Sequence, residues 1–202
     1  MTDETSSLKD DISFLRSLAE AGRDRPIRGG IALILAGTIF GSVAMYEWLA
    51  LIRIAHLSPA GFPILWIVGL VLFLLAMLWA IPRTGSSLTG SSTRAFSRAW
   101  SGVGIGILVV FLANVIALRR TFIPQAATLQ MSTYICFYGV AWYISAGLAE
   151  KRWFLGVALA AFAFALELAL VPFGAYQMLS FAVAIISLAL VPGIYLVTRE
   201  SH

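Results

Sequence analysis

Two carboxylates stand in apolar surroundings: Glu47 within residues 30–52 and Glu167 within residues 153–171. An ionisable side chain in hydrocarbon is costly, so it faces the protein interior, finds a partner or marks a pathway. Read as helices at 1.5 Å per residue, the two segments place both carboxylates roughly 6–8 Å from one boundary of the apolar region. Asn114 falls at the same depth in a third segment, and Arg53, Arg119 and Arg120 follow just beyond the segment ends. Long arginine side chains can bend back toward carboxylates placed there. Gln130, Thr133, Tyr134, Tyr176 and Gln177 extend the same layer, and the opposite half reads as nearly pure hydrocarbon.

Two readings of this layer compete. In one, Glu47, Asn114 and Glu167 line an outward-facing polar cavity, with Arg53, Arg119 or Arg120 as counter-charges, that binds or moves a small polar solute, a cation or protons. In the other, the carboxylates pair with the arginines and tie helix ends together. Ion-driven transporters usually place an ionisable group near the midplane, and the sequence has none at that depth, which weighs against a proton-driven transporter.

Other chemistries find no support. His56 and His202 are the only histidines and lie outside the apolar segments, so two intramembrane histidines cannot hold a haem. There is no HExxH pair for zinc hydrolysis and no Walker loop for ATP. Gly102, Gly104 and Gly106 resemble a nucleotide-binding glycine run, but no strand precedes them. Cys136 is the only cysteine and is expected to serve as a small buried hydrophobe. No enzymatic activity, cofactor or metal is expected.

The elements that position these groups follow from composition. Hydrophobic residues make up 60% of the 202-residue chain and charged residues 12%, against roughly 45–50% and 25% in soluble domains. One water-soluble core of this size cannot hide so much apolar surface. A helix needs about 20 apolar residues to cross a ~30 Å hydrocarbon core, and six stretches qualify: 30–52, 62–81, 100–118, 127–148, 153–171 and 174–197. Runs such as 64–78 are apolar on every side, unlike the alternating strands of a membrane barrel. The fold class is therefore all-α, a six-helix membrane bundle. Gly37 and Gly41 form a GxxxG pair, and Gly156, Ala160, Ala161 and Ala165 are small residues at similar spacing. Such faces suit close helix packing, within the chain or between two copies.

Residues 1–29 are hydrophilic and lack the pattern of a cleavable signal, so the first span is expected to remain in the mature protein. Within them, Leu8, Ile12, Leu15 and Leu18 predict an amphipathic helix over 8–21. Residues 83–99 have the Ser/Gly-rich composition of a flexible loop, and residues 198–202 form a short tail. Placing the N-terminus in the cytoplasm leaves only Arg53, Arg119 and Arg120 of the 14 Lys and Arg residues outside, hence 14 − 3 = 11 inside. That bias predicts both termini on the cytoplasmic side of an inner (plasma) membrane. The net charge of +4 reads as this topology signal, not as a nucleic-acid surface. Expected partners are the lipid bilayer and either a second copy of the chain or a cytoplasmic protein. The last reading gives an alternative function, a membrane-anchored sensor or accessory subunit acting through helix 8–21.

Overall fold

The computed structural model describes residues 29–80, 91–118 and 124–200, without the side chains of 91–96, 117–118, 124–127 and 199–200. The expected helix 8–21, residues 81–90, Arg119, Arg120 and residues 201–202 lie outside this set. Among the described residues 89% are helical and none is in a strand. The helices are α1 (Gly30–Leu51), α2 (Gly61–Ala80), α3 (Ser91–Leu118), α4 (Pro124–Ala149), α5 (Arg152–Leu170), α6 (Ala175–Ile185) and α7 (Val191–Glu200). A π-helical stretch, Ile186–Leu190, joins α6 to α7 in one continuous rod. The chain is thus an all-α bundle of six rods.

Five of the six are long and apolar enough to cross a membrane. The exception is α4, which is 26 residues long but carries Gln130, Ser132, Thr133, Ser145 and several tyrosines. Helix α3 begins at Ser91, well before its apolar run at Trp100, so the expected loop 83–99 is helical in its second half. Ser, Thr, Ala and Arg there do not oppose continuation of the helix once it has started.

The rod of α6, the π stretch and α7 occupies the middle of the bundle. It packs against α1 on one flank and against α5 and α4 on the other, while α2 lies on α1 and α3 on α4. Small residues permit the α1 contact. A Cβ on Gly37 would lie 2.5 Å from the Leu190 backbone nitrogen, and one on Gly41 would lie 2.9 Å from Ile186 Cγ1. On the other side of this crossing, a Cβ on Gly193 would lie 2.9 Å from the Ile34 nitrogen. The GxxxG face is therefore used inside the chain. In α5 the buried row is Phe154, Ala158, Ala161, Ala165 and Leu168, whereas Gly156 and Ala160 face outward.

Turn chemistry fixes the ends. Helix α1 closes with Ile54 N–H donating to Leu49 O at 2.9 Å and Arg53 N–H to Ala50 O at 3.0 Å, the paired bonds of a Schellman motif. Arg53 sits at its left-handed position, φ 64°. Pro63 falls in the first turn of α2 and Pro124 opens α4, where a missing N–H leaves no helical bond unmade. Between α5 and α6 the chain reverses over residues 171–174, and Gly174 takes φ 155°, a region open only to glycine.

Helices α2 and α3 are nearly bare. Only 6% of each spanning window is buried, against 44% for α1 and 50% for the central rod. Ile64, Val68, Leu75, Leu78, Ile105 and Ile116 all stand exposed. Contiguous apolar surface on this scale marks a face that meets lipid or another apolar surface. Long apolar helices whose polar backbone groups are satisfied internally meet the requirement for lipid solvation. The chain is an integral membrane protein.

Candidate functional site

Helix direction brings the chemistry to one end. The central rod runs antiparallel to α1, since Gly30 meets Val197 while Gly41 meets Ile186. It is also antiparallel to α5, through the short turn at 171–174. Glu47, near the C-terminus of α1, and Glu167, near that of α5, therefore share an end with Gln177 and Ser180 of α6.

Glu47 is buried, and Trp66 Nε1–H on α2 donates to its Oε2 at 2.5 Å. Trp66 then stacks beside Phe40 and meets Phe181 of α6 at a ring distance of 6.0 Å. A tryptophan near a span end usually anchors the membrane interface; Trp66 instead serves as the donor to a buried carboxylate. Replacing Trp66 by phenylalanine keeps the ring contacts and removes the donor, and an expected loss of about 2 kcal/mol follows from a hydrogen bond to a buried acid. Comparing unfolding of the two proteins in detergent measures it; equal stability would mean that Glu47 does not need the indole.

Glu167 accepts from Ser180 Oγ at 2.9 Å through Oε1, and its other oxygen is shielded and has no donor among the described residues. Gln177 is wholly buried, and its Nε2–H donates to Leu168 O at 2.9 Å. Leu168 lies in the last turn of α5, where carbonyls have no helical donor. The amide oxygen of Gln177 has no donor either. Glu47 and Glu167 approach α6 from different sides, through the adjacent residues Phe181 and Ser180, which sit ~100° apart around a helix.

Asn114 does not join them. Its Nδ2–H donates to Val110 O, one turn back in α3, at 2.9 Å, and α3 packs on α4. Arg53 is exposed beyond the end of α1, and the partners of both carboxylates among the described residues are neutral. Charge pairing with Arg53 does not hold either carboxylate. Gln130 Nε2–H donates to Tyr134 OH within α4, Thr133 bonds Leu129 O, and Tyr176 is exposed. Cys136 also faces outward from α4, so it is not the buried hydrophobe expected. The helix rotation set by the buried neighbours Ile135 and Gly139 decides this.

The opposite end is not pure hydrocarbon. Trp100 Nε1–H donates to Ser145 Oγ at 3.0 Å, and Trp142 Nε1–H donates to Leu188 O at 3.0 Å. Trp142 is wholly buried and meets Trp100, Trp153 and Phe154 at ring distances of 5.2, 5.9 and 5.1 Å. Pro192, four residues after Leu188, has no N–H to return to that carbonyl. The indole of α4 fills the vacancy. A proline at 192 marks the lost N–H in the sequence, but its distant partner depends on how α4 packs on the rod.

One open groove of 360 Å³ runs beside α1, lined by Gly37, Thr38, Gly41, Ser42, Ile186 and neighbours, and none of the carboxylates reaches it. No family model matches the chain, and no curated protein or solved structure gives a match.

Proposed function

We propose that this protein binds or moves a small polar solute or ion at the carboxylate end of its bundle, and that it does so by binding chemistry and not as an enzyme. One observation carries the reading: two carboxylates inside spanning helices, each held by a neutral donor with no cationic side chain beside it among the described residues. Hydrocarbon disfavours an uncompensated negative charge, so a positively charged or strongly hydrogen-bonding ligand would stabilise this end.

The charge bias of the loops supports an inner (plasma) membrane with both termini in the cytoplasm, which turns the carboxylate end outward. In a Cys136→Ser background, Ile54→Cys is then expected to react with an impermeant maleimide in intact cells. Function is tested by uptake of labelled monovalent ions and small polar solutes into sealed vesicles. Glu167→Gln and Glu47→Gln are expected to reduce flux or binding about tenfold or more, the loss of one charged contact worth ~1.4 kcal/mol. Variants that alter only yield or stability, with flux and binding intact across the panel, would leave the carboxylates with a packing role alone.

A further inference from the structure

We propose that the crossing of α5 and α6 is a binding site for one small alkali cation of the Na⁺ class, held by Glu167 Oε2 and Gln177 Oε1. This rests on the reading of Glu167 as a binding residue and adds the identity of what it takes. Gln177 is wholly buried, and its amide can be oriented in only one sense. Its nitrogen serves the Leu168 carbonyl; the opposite orientation would set oxygen against oxygen, since a carbonyl only accepts. The amide oxygen therefore faces the protein with no donor among the described residues. Glu167 repeats the pattern, with Oε1 served by Ser180 and Oε2 shielded and bare.

The two residues meet at one helix crossing. Gln177 and Ser180 are a turn apart on the same side of α6, and they reach consecutive α5 residues, Leu168 and Glu167. Buried acceptors without donors are rare in folded proteins and call for a missing partner. An ionised Glu167 calls for a positive partner, and a single carboxylate for a monovalent one; a proton on Oε2 is the competing occupant, which comparison of salts at one pH separates. Carboxylate and amide oxygens are hard donors that favour hard cations over thiophilic metals. Calcium takes six to eight oxygens, commonly several carboxylates, which this crossing does not provide. Ser180 Oγ keeps lone pairs after donating to Glu167 and completes the set of side-chain oxygens.

The test uses the full chain purified in a mild detergent. Thermal unfolding is followed by tryptophan fluorescence in NaCl and in choline chloride at equal ionic strength and pH, alongside equilibrium binding of radioactive sodium. Wild type is expected to unfold at a higher temperature in Na⁺ and to bind roughly one ion per chain, as preferential binding to the folded state requires. Glu167→Gln is expected to weaken binding by about tenfold or more. If Glu167→Gln does not fold, Gln177→Met and Ser180→Ala carry the same expectation. Equal melting in the two salts with no bound sodium would overturn the proposal. So would sodium binding indifferent to Glu167, Gln177 and Ser180, or stabilisation by acid alone. Solute flux that needs Glu167 in the absence of sodium binding removes the cation and leaves the functional reading intact; sodium binding without any flux or solute binding keeps the cation and removes transport from the functional reading.

Discussion

Replacing Gly37 by valine is expected to cost more than about 3 kcal/mol and to leave little folded protein in detergent. Overpacking a close contact typically costs ~1–3 kcal/mol per inserted group, and more where the obstacle cannot move. Here the obstacle is main chain. A Cβ at Gly37 would stand 2.5 Å from the Leu190 nitrogen and 2.8 Å from its Cα. Neither atom can rotate away as a side-chain tip could, so α1 must separate from the central rod. That separation also opens the Gly41–Ile186 and Gly193–Ile34 approaches along the same crossing. Gly156→Val is the matched control, because nothing lies within 4 Å of a Cβ there. It is expected to change stability by less than about 0.5 kcal/mol beyond its helix propensity. Denaturant or thermal unfolding of the pair in one detergent reads the difference directly, and similar losses at both positions would contradict the packing of α1 on the rod.

The second large effect belongs to Trp142. Truncation to alanine removes a wholly buried indole and is expected to cost ~3–5 kcal/mol through lost contacts and the cavity left behind. Phenylalanine separates the two parts of that loss. It retains a ring beside Trp100 and Phe154 but leaves the Leu188 carbonyl with no donor, which costs ~1–3 kcal/mol when the group stays buried. Pro192→Ala returns an N–H to the rod. If that N–H reaches the Leu188 carbonyl, Trp142→Phe becomes cheaper in the Pro192→Ala background, and the double-mutant cycle shows a coupling of about 1 kcal/mol. Strict additivity would mean that the indole and the missing N–H act on different groups. The π-helical stretch, where Val191 N–H bonds Ile186 O, is the local adjustment that accompanies this proline.

How much of this was legible in the residues depended on the range of the interaction. The helices were, because a spanning segment is encoded by a continuous run of apolar side chains and needs no knowledge of its neighbours. The end of α1 at Arg53 and the reversal at Gly174 follow from similarly local rules. The shared end of Glu47 and Glu167 was also readable, since alternating helix direction fixes depth. Their partners were not. The position of Trp66 near a span end suits an interfacial anchor, yet rotation of α2 on α1 brings its N–H to Glu47. Asn114 matched the carboxylates in depth, but α3 sits on α4, away from α1 and α2. Depth along a helix is a one-dimensional property of the sequence, whereas azimuth depends on which faces pack. For the same reason Gly156 looked equivalent to Ala161 in spacing and differs from it in burial.

The GxxxG pair illustrates the same boundary from the other side. Small residues at a spacing of four permit close approach but do not name the partner. The rod supplies it within the chain, through Ile186 and Leu190. What remains uncovered is the apolar surface of α2 and α3, a face suited to lipid.

That assignment is tested most directly by single cysteines on the bare faces, in a Cys136→Ser background and in intact membranes. Leu75→Cys on α2 and Ile105→Cys on α3 replace side chains that are 57% and 63% exposed, and Ile54→Cys replaces one that is 70% exposed in the turn after α1. If hydrocarbon covers the helices, a water-soluble maleimide labels Ile54→Cys readily and the other two at no more than background, because thiolate formation needs water. Labelling of Leu75→Cys and Ile105→Cys at the rate of Ile54→Cys would place those faces in water and contradict a bundle solvated by lipid.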